Sequence, residues 1–190
     1  MFRQVWENRE AAFLQLHCNE FQELDVHGKV IGTGVREFIT PRFMSCNTVS
    51  IALLAQYKGE IYMALEDRDL PAVQCFLGRS DLLTAPAWRV PNDIASITPC
   101  LQWLKPHLKK EHNVECKEIV PLGGCYYPSP GLTPEPVFPV AAEVRDAAQM
   151  EHLHWVKLAE LAVRPMEIRD GHLRVLACRA AHATSTLTAL

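Results

Sequence analysis

The stretch Tyr126-Tyr127-Pro128-Ser129-Pro130-Gly131-Leu132-Thr133-Pro134-Glu135 restricts what this chain can fold into more than any other segment. Its three prolines fix φ near about −65°, and Gly131 is the one residue in it free to take a positive φ. An apolar run, Val137 to Val144, follows directly. The pattern predicts a stiff loop holding Glu135 beside a strand, which suits a site better than a linker.

The rest of the chain reads as a mixed α+β domain. Val49 to Gln56 and Ile61 to Leu65 flank a turn at Tyr57-Lys58-Gly59-Glu60 and predict an antiparallel hairpin. Before it, Asp25-Val26-His27-Gly28-Lys29 marks another turn. Residues 67–93 carry turn formers and scattered apolar groups, and predict a long loop with one strand. Thr98-Pro99 reads as an N-cap with proline at the first helical position, followed by Leu101, Leu104 and Leu108 at helical spacing. Pro106 interrupts that pattern and predicts either a kink or a second short helix. Glu115 to Leu122 and Val137 to Val144 read as strands. Trp155 to Leu158 pairs at an edge or leads straight into Ala159 to Val163. His172 to His182 is a helix with Leu173, Leu176, Ala177 and Ala180 on one face.

Charge and cysteine usage narrow the function classes. A net charge of −3 gives no field for nucleic acid or an anionic membrane, so neither partner is expected. No apolar run reaches membrane-spanning length, and Met1 to Glu10 lacks the core of a secretory leader. Seven dispersed cysteines fit reduced thiols in a cytoplasm better than a disulfide framework. Zinc is not expected either, because no C-x-x-C or H-E-x-x-H spacing occurs.

The Ser129-Pro130-Gly131 loop with Glu135, the Val49 to Leu65 hairpin and the Ile168 to His172 entry into an Ala-rich helix together resemble Nudix pyrophosphatases of the ADP-ribose and nucleoside-diphosphate-sugar type. That resemblance implies an α/β/α sandwich with a mixed sheet over residues 45–190. It also implies an N-terminal extension, residues 1–44, of the kind family members use to form homodimers. In the family, Mg²⁺ or Mn²⁺ sits on the glutamates of a signature helix opposite the substrate diphosphate. There the metal polarises the phosphoryl group and supplies an acidified water.

The signature runs Gly, five residues, Glu, seven residues, Arg-Glu, an aliphatic, any residue, Glu-Glu, any residue, Gly, an aliphatic. Anchored on the downstream loop, it places Asn92, Thr98, Pro106 and His107 at the first four defined positions. Leu108 and Val114 keep the aliphatics, Lys110 and Glu111 stand at the paired glutamates, and Asn113 replaces the late glycine. Of the charged positions only Glu111 remains, and Lys110 beside it repels divalent ions.

Three expectations follow from the resemblance. The first is a degenerate member that binds a nucleoside-diphosphate-type small molecule with weak or no hydrolysis. The second is a divergent hydrolase with a rearranged carboxylate set: Glu135 and Glu111 as catalytic groups, Glu111 and Glu115 as Mg²⁺ or Mn²⁺ ligands, and Glu118 in reserve. The third is a structural homodimer whose cleft is filled. For ligand contacts, Arg68 and Arg79 suit phosphates, Trp88 and Tyr127 suit a nucleobase, and Ser129 and Gly131 line the loop.

Overall fold

The computed structural model describes residues 14–70, 81–145 and 153–188, with the side chains of 69, 81, 111, 112 and 185–188 outside the description. The described residues form two sheets. The first is an antiparallel hairpin of β1 (Leu14–Leu24) and β2 (Val30–Pro41), turned at Gly28 with φ 80°. The second is a mixed sheet in the order β5-β4-β3-β8-β7, joining β5 (Asp81–Thr84), β4 (Glu60–Asp69), β3 (Thr48–Tyr57), β8 (Val137–Val144) and β7 (Cys116–Pro121). Off this path, β6 (Ala87–Arg89) pairs with β3, and β9 (His154–Lys157) pairs with β4.

The β3–β4 hairpin closes through Lys58 and Gly59, with φ 49° and 79° and Tyr57 opposite Glu60. A two-residue turn needing two positive φ values explains why Gly59 is there. β3 pairs in parallel with β8 from Thr48↔Val137 to Leu54↔Glu143, while its other edge is shared. The first half of that edge takes β6 and the second half takes β4. β4 takes β9 along Tyr62 to Leu65, overlapping its pairing with β3, and then takes β5 along Glu66 to Asp69.

Helices cover both faces. Val49, Ile51, Leu53, Val140 and Ala142 point to α1 (Ile97–His112), meeting Cys100, Leu104 and Leu108. Ala52, Met63, Leu65 and Ala141 point to α2 (Leu158–Val163) and α3 (Gly171–Thr188). Burial on both faces is why β3 and β8 read as continuous apolar runs rather than alternating ones. The face anticipated for the last helix is the buried one: Leu173, Leu176, Ala177 and Ala180 are 0–3% exposed.

Several expectations need correction. The cap of α1 is Ser96, so Thr98 and Pro99 lie inside the first turn, where a missing N–H still costs nothing. Pro106 neither ends nor divides α1, which runs through it as one helix. Within the anticipated long loop, the described part holds the end of β4 and two short strands, β5 and β6, rather than one. The last helix extends past His182 to Thr188.

Candidate functional site

The proline loop is closed at its base by a reciprocal pair of backbone hydrogen bonds between Tyr126 and Val137, of 3.0 and 2.8 Å. Inside it, the Ser129 carbonyl accepts from the N–H groups of Leu132 and Thr133, forming the turn. Gly131 is not among the positive-φ glycines, so the prolines alone set this turn. The tip is exposed: Tyr127, Ser129 and Gly131 all face outward. Its far side meets the hairpin, where the Ile39 N–H donates to the Leu132 carbonyl at 2.8 Å.

Glu135 turns inward. Its Oε1 accepts from Thr48 Oγ1 at 2.6 Å and lies 3.0 Å from Arg89 Nη1, while Oε2 accepts from Arg89 Nη2 at 3.3 Å. Arg89 Nη1 also donates to the Cys46 carbonyl at 2.7 Å. The two side chains are 15% and 28% exposed. This forked ion pair, with the Thr48 hydrogen bond, ties the loop to the start of β3 and the end of β6.

The other candidate carboxylates are elsewhere. Glu115 accepts from Lys109 Nζ at 2.9 Å, a hydrogen bond that, with the lysine's charge, lowers its pKa. Its carbonyl accepts from the Arg145 N–H, which places Glu115 beyond the C-terminal end of β8. Glu135 precedes the start of β8, so at the rise of an extended strand the two are separated by about 30 Å. Glu118 is exposed opposite Glu143, which itself pairs with Lys117 at 2.5 Å. Glu111 lies in the last turn of α1, near the Glu115 end, and its side chain is outside the description. Asn113 caps that helix with φ 53°, the left-handed geometry that explains a glycine or asparagine there.

A divalent ion needs several oxygen ligands converging on one point. Among the described residues no group of three or more His, Cys, Asp or Glu side chains does so. Glu135, Glu115 and Glu143 each hold a cation of the protein's own. The described residues therefore do not fit Mg²⁺ or Mn²⁺.

Two expected ligand residues do come together. Arg68 pairs with Glu66 through Nε at 2.7 Å and donates from Nη2 to the Ala87 carbonyl at 3.3 Å, next to Trp88. Trp88 meets His107 edge-on at 5.8 Å, and His107 stacks on Trp103 at 4.3 Å. Trp88 and Arg89 point to opposite faces, as strand alternation requires, so this aromatic group and the Glu135 anchor lie on either side of the sheet. Arg79 falls outside the described residues.

Sequence reasoning missed a second anchor at the loop base. The Tyr126 hydroxyl lies 2.6 Å from His172 Nδ1, and the Arg179 guanidinium sits 5.7 Å from the Tyr126 ring centre. Burial pushes the Tyr126 pKa up to about 12, with the neighbouring Ser50 hydroxyl opposing. The phenol thus keeps its proton, and one hydrogen bond joins it to His172 Nδ1. Burial likewise pushes the Cys100 thiol, on α1, up to about 11. No spacing rule links residue 126 to 172; only the folded topology does.

These two groups give an alkaline signature. Both hold their protons more tightly folded than unfolded, so the unfolded chain ionises first, starting from the ordinary values of 9.0 and 10.0. Stability is expected to be unaffected by either group below about pH 9 and to fall between about pH 9 and 12. Urea midpoints across that range test it, and a Cys100→Ala, Tyr126→Phe double variant should flatten the decline.

No family model matches the chain, and no curated protein matches it in sequence. Among solved structures it is similar to the crystal structure of an ADP compounds hydrolase, with a TM-score of 0.56 and 11% identity, covering 95% of this chain and 98% of that one. At that identity the likeness concerns the fold alone: a mixed α+β architecture consistent with a Nudix-like fold.

Proposed function

We propose that this chain is a degenerate Nudix-fold protein that binds a nucleoside-diphosphate-type small molecule, of the ADP-ribose or nucleotide-sugar kind, with weak or no hydrolysis. One observation carries the reading: Glu135 and Glu115 each already neutralise a cation of the protein, and they stand at opposite ends of β8. The ADP compounds hydrolase of similar fold supports the ligand class. Trp88 and Arg68 on one side of the sheet, with Tyr127, Ser129 and Gly131 at the exposed loop tip, are the ligand contacts of this reading.

The test is a thermal-shift titration with ADP-ribose and a panel of nucleotide sugars, with and without Mg²⁺ or Mn²⁺, assaying the same wells for phosphomonoester. A ligand at about 100 times its Kd should add about 2.7 kcal/mol of stability without product. Metal-dependent product would favour the divergent hydrolase instead, and the absence of any shift would sink both.

A homodimer is the second part of the reading, and the hairpin favours it. Leu16, Val26 and Ile31 are 65%, 94% and 61% exposed, on a two-stranded ribbon that is marginal alone. Light scattering should give twice the 21.4 kDa chain mass, falling to one chain in a Leu16→Asp, Ile31→Asp variant. A wild-type monomer would refute it.

A further inference from the structure

On the face of the sheet opposite α1, β4 and β5 diverge from α2 and α3 and leave a cavity of about 670 Å³. Its volume falls within the range of small-molecule sites. It shares no lining residue with the loop or the aromatic group described above. The floor is apolar: Leu65, Leu161, Ile168 and Leu173, with Leu82 and Leu83 closing one wall. The rim carries Glu160, Arg164, Glu167 and Arg169.

The rim charges look balanced in number but are not balanced in space. Glu167 lies 3.8 Å from Arg164. Glu160 acts on Lys157, whose pKa is raised first by its hydrogen bond to Glu60 and to a smaller extent by Glu160. Asp170 is turned away from the rim, where its Oδ1 caps α3 by accepting from the Leu173 N–H at 2.7 Å. Arg169, exposed at the mouth, makes no ion pair among the described residues. Arg174, in α3 and outside the cavity lining, donates to the Ile168 carbonyl, and its Nε is buried without a hydrogen-bond partner. Arg169 is therefore a rim cation with no acidic partner among the described residues, beside an apolar floor.

We infer that this cavity binds an amphiphilic monocarboxylate of medium chain length, with its carboxylate on Arg169 and its alkyl chain along Leu65, Ile168 and Leu173. An arginine fork recognises a carboxylate bidentately. The apolar floor rewards a tail, which a free inorganic anion lacks. A polyanion such as a diphosphate is disfavoured because Glu160 and Glu167 share the rim. This inference stands independently of the nucleotide reading.

Calorimetric titration of the whole chain with hexanoate, octanoate and decanoate tests it. Each methylene moved from water onto the floor should tighten binding about fourfold. Arg169→Glu should weaken decanoate binding at least about tenfold, and octylamine should neither bind there nor compete. Val163 lines the cavity yet is 75% exposed, so Val163→Asp should keep the fold and also weaken binding. Amide shifts on adding decanoate should cluster at Leu83, Val163 and Ile168, and saturating ADP-ribose should leave the affinity unchanged. Affinity independent of chain length, equal binding of octylamine, an unaffected Arg169→Glu variant or shifts located elsewhere would each overturn the assignment.

Discussion

Replacing Arg89 with alanine is expected to lower stability by about 3 kcal/mol, because it strands Glu135 in a site only 15% exposed. The figure is the low end for a buried pair, since 28% of the Arg89 side chain still meets water. The Cys46 carbonyl loses its donor at the same time. For a chain this size the melting temperature should fall by about 6–12 °C. An Arg89→Met, Glu135→Leu double variant should recover most of that loss, because two well-packed apolar groups can replace a buried ion pair. The same variants bear on function. A Glu135 that anchors the loop loses stability on conversion to glutamine; a Glu135 that acts only on a substrate loses turnover and leaves the melting curve in place. Chemical denaturation of Glu135→Gln beside a product assay separates the two roles.

Pro106→Ala is expected to raise stability by between about 1 and 3 kcal/mol. Pro106 lies in the interior of α1 on its exposed side. It supplies no N–H for the carbonyl four residues back, and its ring crowds that carbonyl. The neighbours that hold the helix, Leu104 and Leu108, are 0% and 1% exposed and pack against β3 and β8. Their burial outweighs the penalty, which is why one helix runs through a residue that the local pattern reads as a break. A melting temperature that stays put would mean that α1 has already relaxed around the proline.

What the sequence disclosed, and what it hid, follows the range of the interactions involved. β8 is legible to the residue because its apolar run is bounded by Pro136 and by charge at Arg145. The β3–β4 hairpin is legible because Lys58-Gly59 carries its own turn geometry. The face of α3 follows from the spacing of Leu173, Leu176, Ala177 and Ala180. The start of α1 is not legible locally, because Thr98-Pro99 imitates a cap that Ser96 occupies. In the candidate site the loop was visible, but the role of Glu135 was not. Its partners Thr48 and Arg89 come from two other strands, and nothing local to Glu135 announces them. The separation of Glu115 from Glu135 was hidden for the same reason, since β7 runs antiparallel to β8 and carries Glu115 to the far end.

The parallel pairing of β3 with β8 has a consequence in time. The two central strands of the sheet sit about ninety residues apart in the chain, so their pairing pays a large loop-closure cost before it returns any contact. On a ribosome the β3–β4 hairpin can form as soon as it emerges, yet one edge of β3 stays unpaired until β8 follows. During that interval Val49 to Leu53, fully apolar but for Ser50, is a strand edge open to other chains. Misassembly of this protein should therefore be decided during synthesis, and slowing translation after residue 57 should increase it.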